Sequence, residues 1–258
     1  MKPRIAVFKF ASCDGCQLQF LNAEAELLPL TELVDFVYFP EARSRELRGP
    51  YDIAFVEGSI TTANDLRRIV QVREESRYLI TIGACATAGG IQALRNWAAI
   101  EDFKRFAYPN PEFIATLSTS TPISEHVRVD FEIWGCPIDT QQLLAVTRSL
   151  LSGSRPFLPS YSVCMECKRR GNVCVVVAHG EPCVGPVTRT GCGAICPALH
   201  RGCYGCFGPA DDPNMPSFSA LLKSQGLKRE EMVRHLRGIN GYVRPWRESG
   251  DAIDKGTT

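Results

Sequence analysis

Twelve cysteines in 258 residues fall into two unequal groups, and that division constrains the chain more than any other feature of its sequence. Cys13, Cys16, Cys85 and Cys136 are spread over the first 136 residues. Cys164, Cys167, Cys174, Cys183, Cys192, Cys196, Cys203 and Cys206 crowd into one short stretch. Small secreted domains use such thiols as disulfides. Here the apolar run Ile5–Phe10 that follows Met1-Lys2-Pro3-Arg4 is too short for a secretory signal and leads directly to Cys13. A cytoplasmic location is therefore expected. In a reducing compartment, metal binding is the leading use for the thiols.

Charge narrows the function further. Lys and Arg number 29 against 28 Asp and Glu, a formal net charge of +1. There is no basic excess to neutralise a phosphate backbone, so a dedicated nucleic-acid binder is not expected. No run approaches 18 apolar residues, so no membrane span is expected. Neither G-x-G-x-x-G after a strand nor a G-x-x-x-x-G-K-[ST] loop occurs, which leaves no recognisable nucleotide site.

The cysteine asymmetry implies a domain over residues 1–155 and a smaller cysteine-rich one over 156–258. Ser152-Gly153-Ser154-Arg155-Pro156, with Pro159, supplies linker composition between them. The first part reads as α/β. Ile5–Phe10, Leu33–Phe39, Asp52–Val56, Tyr78–Ile82 and Val127–Trp134 are strand-like. A helix over Gln17–Leu28 is expected to bury Leu18, Leu21, Ala25 and Leu28 and to end before Pro29. Thr62 and Asp65 form a capping box for the helix through Leu66, Ile69 and Val70, and Thr140–Leu151 reads as a further helix. Strands alternating with helices imply a mostly parallel sheet covered on both faces. Cys13 and Cys16, Cys85 and Cys136 then each follow a different strand. In open α/β sheets ligands bind beyond the carboxyl ends of the strands, so these four can converge on one object.

The second part has little room for regular structure. Val173–Ala178 is its one good apolar run, Phe218–Gln225 and Glu230–Leu236 read as short helices, and Glu248–Thr258 reads as a polar, frayed end. Such a region is expected to fold around bound metal. Three C-x-x-C pairs occur, Cys13/Cys16, Cys164/Cys167 and Cys203/Cys206. The first is compatible with a redox pair and all of them with tetrahedral zinc. The loose, Gly- and Pro-interrupted spacing of the last eight favours iron–sulfur clusters. Twelve thiolates suit three [4Fe–4S] centres with none left over. Glycines beside the cysteines (Gly15, Gly83, Gly89, Gly90, Gly135, Gly191, Gly193, Gly205 and Gly208) would let the backbone approach an inorganic core. His126 and His235 read as surface or partner-facing residues. His179 and His200 lie near cysteines. Glu57, at a strand end facing the first cysteine group, either orients a partner side chain or takes part in proton traffic, or else caps the helix beginning near Thr62. Lys168-Arg169-Arg170 and Lys228-Arg229 with Arg234 are solvated patches or docking sites for an acidic partner. No residue reads as catalytic.

Cys13-Asp14-Gly15-Cys16, Val56-Glu57-Gly58-Ser59-Ile60, Gly83-Ala84-Cys85-Ala86 and Gly135-Cys136-Pro137 together resemble the small, electron-transfer subunit of nickel–iron hydrogenases, over nearly the whole chain. The resemblance implies a flavodoxin-like first domain in which Cys13, Cys16, Cys85 and Cys136 hold a proximal [4Fe–4S] cluster against a large subunit that carries the nickel–iron site. The second domain is similar to that of the cytoplasmic, cofactor-coupled branch, with Cys164 where the periplasmic branch has histidine. There Cys164, Cys167, Cys174 and Cys183 would hold the distal cluster, and Cys192, Cys196, Cys203 and Cys206 the medial one. Neither the one-cluster small subunits nor the complex I homologue, with its adjacent cysteine pair, shares this pattern. The implied activity is electron relay between hydrogen chemistry on the large subunit and a flavin- and NAD(P)-binding partner, as in the sulfhydrogenases, with further iron–sulfur subunits expected in the assembly. A small subunit serving a deazaflavin-reducing or heterodisulfide-reductase-linked hydrogenase is the alternative within the family. A zinc-stabilised interaction protein is the alternative outside it. If Cys196 completes the medial set, Cys196→Pro should yield a three-iron cluster there while assembly survives. Electron paramagnetic resonance of the oxidised variant checks this by the appearance of a new [3Fe–4S] signal.

Overall fold

Five apolar runs of the first unit form one sheet: β1 (Arg4–Lys9), β2 (Asp35–Tyr38), β3 (Tyr51–Glu57), β4 (Ser76–Ile82) and β5 (Phe131–Ile133). All four pairings are parallel and the strand order is β2-β1-β3-β4-β5, the flavodoxin-like order. The computed structural model describes residues 2–256, and the chain packs as two compact units, Met1–Pro156 and Phe157–Thr258.

Side chains alternate faces along a strand, yet Ile5, Ala6 and Val7 are all fully buried and Phe8 nearly so. Both faces of the sheet are therefore covered, which is why these strands read as continuous apolar runs rather than alternating ones. On one face Ala6, Phe8, Ala54, Val56 and Leu79 pack with Ile69 and Val72 of α3 (Ala63–Glu74). On the other, Phe55 meets Phe20 edge to face, with ring centroids 5.0 Å apart. The Thr62–Asp65 capping box is present at the start of α3. Thr62 Oγ1 accepts the Asp65 N–H at 3.1 Å and Asp65 accepts the Thr62 N–H at 2.9 Å.

Two local expectations for this unit fail. The single helix expected over Gln17–Leu28 is two helices, α1 (Gly15–Leu21) and α2 (Glu24–Leu33), and Pro29 lies inside α2. The face expected to be buried is largely exposed: Leu18 is 50% and Leu28 73% accessible, while Phe20, Ala23 and Leu30 are buried. Cys16 and Gln17 turn inward at the end of the sheet, and about 100° per residue then carries Leu18 outward. The strand expected over Val127–Trp134 shortens to three residues. Asp130 uses its carboxylate to accept the Leu79 N–H at 2.8 Å and to pair with Arg73, ending the ladder before β5. Three more helices complete the unit. They are α4 (Gly83–Ala88), α5 (Ile100–Ala107), none of whose residues is buried, and α6 (Thr140–Leu151), capped by Asp139.

The second unit carries α7 (Cys164–Arg169), α8 (Val175–His179), α9 (Ile195–Ala198), α10 (Met215–Ser224), α11 (Arg229–Leu236) and α12 (Arg244–Lys255). The polar end expected to fray from Glu248 is instead helical as far as Lys255, because Trp246 and Ile253 of α12 are buried. Thr257 and Thr258 fall outside the described residues. Val184, Val187, Phe218, Leu222, Leu236 and Trp246 build an apolar core. The unit therefore has packing of its own beside its thiols. Among the described residues no helix is long and apolar enough to cross a membrane. Phe55 is fully buried at the centre of the first unit. Phe55→Ala is expected to cost about 3–5 kcal/mol, read as a lowered unfolding midpoint of the full chain.

Candidate metal centres

The strand register levels four loops. Lys9 of β1 pairs with Glu57 of β3, Glu57 with Ile82 of β4, and Ile82 with Ile133 of β5. Four carboxyl ends thus stop in one row, and the segments leaving them carry Cys13 and Cys16, Gly58 and Ser59, Cys85, and Cys136. The loops are pinned to one another by backbone bonds. Ala11 and Ser59 exchange both of theirs at 3.2 and 3.0 Å, and Ala84 N–H donates to the Gly135 carbonyl at 2.7 Å. The reversal of strand order, between β1 and β3, falls at this row, where α/β sheets of this type bind their ligands.

The four cysteines come together there. Cys16 lies within electrostatic reach of Cys85 and Cys136, Cys85 of Cys136 and Cys13, and Cys136 of Cys13. Cys16 is buried, Cys85 partly so, and Cys13 and Cys136 are exposed. Burial pushes the Cys85 thiol up to about 11 and the Cys16 and Cys136 thiols upward as well. Four thiolates this close repel one another unless a cationic centre sits among them, and thiols bound to such a centre lose their protons.

Glycines let the backbone approach two of these sulfurs closely. Gly83 has φ +83°, and a Cβ there would lie 2.2 Å from Cys16 Sγ. At Gly90 it would lie 2.7 Å from Cys85 Sγ. Glu57 does not cap α3, a role the Thr62–Asp65 box fills. It is 1% accessible, and its Oε1 accepts the Cys16 N–H at 3.1 Å, bracing the Cys13–Cys16 turn from beneath. Burial pushes the carboxyl pKa up, against the hydrogen bonding from Gln17 and the Cys16 N–H that pulls it down. Gln92 was not evident from spacing. Its amide Nε2 donates to the Ala11 carbonyl at 2.7 Å and lies 3.5 Å from Cys85 Sγ.

In the second unit Cys164 lies within electrostatic reach of Cys183, Cys167 and Cys174, and Cys167 of Cys183 and Cys174. Burial pushes Cys164 up to about 11. The remaining four form two pairs, Cys192 with Cys196 and Cys203 with Cys206. Cys183 lies near both: Cys203 N–H donates to Cys183 Sγ at 3.2 Å, and Cys196 is within electrostatic reach of it. Cys203 Sγ in turn accepts the Gly205 N–H at 3.4 Å.

The helical part of this unit supports the cysteine loops. Asn240, fully buried, donates from Nδ2 to the carbonyls of Gly205 and Cys206 at 2.8 and 3.0 Å. A Cβ on Gly205 (φ +74°) would meet the Trp246 ring at 2.4 Å. Glu166, between Cys164 and Cys167, accepts the Gly191 N–H at 3.0 Å and sits 3.9 Å from Cys192 Sγ. No sequence spacing announces Asn240, Trp246 or Glu166, since each acts across a fold.

The histidines divide differently than expected. His179 and His200 face each other edge to face with ring centroids 6.1 Å apart. His126, expected on the surface, is half-buried and bonded through Nε2 to Thr121 Oγ1 at 2.7 Å. His235 is likewise half-buried, against the same expectation. Burial lowers the pKa of both. Among the described residues, no group of three or more His, Cys, Asp or Glu side chains is arranged to hold a metal ion. The thiol-only donor set and the close approach of glycine backbone to its sulfurs fit a soft, cationic, multi-atom centre.

The chain is similar to known proteins in sequence and in fold. The sequence pattern of the family described as NADH ubiquinone oxidoreductase, 20 Kd subunit, matches residues 13–150. The chain is 38% identical over 237 residues to the delta chain of sulfhydrogenase 2 of Pyrococcus furiosus, covering 91% of this chain and 98% of that one. It is 30% identical over 237 residues to a component of the vhu F420-non-reducing hydrogenase of Methanocaldococcus jannaschii, covering 81% and 82%. Among solved structures, a chain of an NAD+-reducing [NiFe]-hydrogenase superposes with a TM-score of 0.57 at 31% identity, over 62% of this chain and 96% of that one. A chain of the actinobacterial-type NiFe-hydrogenase from Ralstonia eutropha shares the fold, with a TM-score of 0.59 at 16% identity, over 99% of this chain and 90% of that one. Gly83→Ala, which drives a methyl into Cys16 Sγ, is expected to lower the metal content of the purified protein. Gly153→Ala, at φ +73° in open space, should leave it unchanged. Metal-to-protein ratios of the two variants check this.

Proposed function

The chain belongs to the NADH ubiquinone oxidoreductase 20 Kd subunit family and is a small, electron-transfer subunit of a nickel–iron hydrogenase complex, and from that premise we propose that it relays electrons through three [4Fe–4S] clusters to a flavin- and NAD(P)-binding partner. The observation that carries this reading is the convergence of Cys13, Cys16, Cys85 and Cys136 from three of the four level strand ends, together with eight further thiols in the second unit. Cys13, Cys16, Cys85 and Cys136 would hold the proximal cluster. Cys164, Cys167, Cys174 and Cys183 would hold the distal one, and Cys192, Cys196, Cys203 and Cys206 the medial one. Residues 1–155 then form the proximal-cluster domain and 156–258 the domain of the other two. Each such cluster, when bound, accepts and releases one electron reversibly.

The chain's own residues prepare these sites. Glu57 fixes the turn that presents Cys13 and Cys16, and Gly83 and Gly90 keep side chains away from the sulfurs of Cys16 and Cys85. The Cys203 N–H on Cys183 Sγ ties the two sets of the second unit together, and neighbouring sets suit short electron-transfer steps. The nickel–iron site belongs to the large subunit, and no residue here is assigned to hydrogen chemistry. The sulfhydrogenase-type acceptor is favoured by the relative from P. furiosus, which this chain covers over 98% of its length. The M. jannaschii relative favours a second reading, a small subunit for a hydrogenase of the F420-non-reducing kind, and the cysteine pattern suits both. A cytoplasmic location for the complex is part of the same proposal.

Metal and acid-labile sulfide analysis of the purified complex tests the cluster inventory. We expect about twelve irons assignable to this chain, equal sulfide, and broad absorption near roughly 400 nm. Stoichiometric zinc without that absorption would contradict it.

A further inference from the structure

We propose that Gln92 is a positioning residue for the cluster held by Cys13, Cys16, Cys85 and Cys136: its side-chain amide keeps one N–H on the Ala11 carbonyl and its second on Cys85 Sγ, raising that cluster's reduction potential. The inference rests on the reading that this quartet holds an iron–sulfur cluster.

The orientation of the amide follows from its neighbours. The Ala11 carbonyl lies 2.7 Å from Nε2, and a carbonyl only accepts, so the nitrogen end must face it. That bond uses one of the two N–H groups. Cys85 Sγ stands 3.5 Å from the same nitrogen and 3.5 Å from Oε1. A free thiol can donate to Oε1. A metal-bound thiolate is an acceptor only, so the second N–H becomes the favourable contact. Hydrogen bonds from a neutral amide to a charged acceptor are stronger than neutral ones.

Local structure delivers Gln92 to this place. A 3-10 turn over Ile91–Trp97 folds the chain back after Gly89 and Gly90, with Ala93 N–H on the Gly90 carbonyl at 3.1 Å. A Cβ on Gly90 would stand 2.7 Å from Cys85 Sγ and 2.8 Å from Gln92 Oε1, so glycine at 90 is what lets the amide lie against the sulfur. Ala11 is itself paired with Ser59. The amide therefore joins the segment after β1, which carries Cys13, to the cysteine of α4.

The effect on potential has a definite sign. Reduction adds one electron to the cluster and increases negative charge on its sulfur ligands. A donor on Cys85 Sγ stabilises the reduced form more than the oxidised one, and hydrogen bonds to sulfur are among the factors that set cluster potentials. Without the donor the potential falls.

Redox titration of the assembled hydrogenase complex, followed by electron paramagnetic resonance, reads the midpoint of each cluster. Gln92→Leu should shift the cluster of the first quartet to lower potential and leave the other two in place. Gln92→Glu, which exchanges the donor for a carboxylate, should shift it further in the same direction. Unchanged midpoints in both variants at full iron content would overturn the inference. Should the variants lose that cluster, wild-type complex carrying 15N in its glutamine side-chain amides decides the matter. A 15N hyperfine coupling on the reduced proximal cluster supports the inference, and its absence overturns it. A wild-type complex whose iron falls short of three clusters in this subunit contradicts the cluster reading itself, whatever the behaviour of Gln92.

Discussion

Parallel pairing of β1, β3, β4 and β5 in register, Lys9 to Glu57 to Ile82 to Ile133, sets the position of everything in the first unit that bears on chemistry. A parallel strand cannot turn back directly and must leave the sheet at its carboxyl end, so level ends place four exits side by side. Three of the exits carry cysteines, and the fourth strand ends on Glu57, which braces one of them. A shift of one residue in any ladder would turn the strand's buried set to the opposite face and move its exit loop with it. Since both faces are fully covered, the register is held by packing as well as by hydrogen bonds, and Phe55 against Phe20 is part of that hold. The candidate centre is in this sense a product of the hydrophobic core.

Much of this was legible in the sequence because the signals are local. Buried parallel strands leave unbroken apolar runs such as Ile5–Phe10 and Tyr78–Ile82, and Thr62 with Asp65 marks a helix start through bonds spanning three residues. Cysteines after strands were readable for the same reason. What failed depended on partners remote in sequence. The face of α1 is chosen by the inward turn of Cys16 and Gln17, and periodicity alone gave the opposite one. Glu57 was ambiguous because its partner, the Cys16 N–H, is 41 residues away. Gln92 carries no sequence mark beyond the glycine pair before it.

The second unit shows the same limit from another side. Helices α10 and α11 were legible over Phe218–Gln225 and Glu230–Leu236, but the core that they and α12 build with Val184 and Val187 was not. Asn240 and Trp246 belong to that helical part yet act on the loop between Cys203 and Cys206, one through its carbonyls and the other by filling the space beside Gly205. The apolar helices hold this cysteine loop in shape, so the thiols need not organise the region alone. A polar tail expected to fray is instead helical as far as Lys255, because one tryptophan and one isoleucine give it a face to bury.

In the proposed relay each of the three cysteine sets encloses its own iron–sulfur cluster. Anomalous scattering from crystals of the purified complex, recorded on either side of the iron absorption edge, locates the metal directly. The account predicts three iron-rich peaks in this subunit: one among Cys13, Cys16, Cys85 and Cys136, one among Cys164, Cys167, Cys174 and Cys183, and one among Cys192, Cys196, Cys203 and Cys206. Fewer than three peaks, or single-atom peaks that respond at the zinc edge instead, would contradict it.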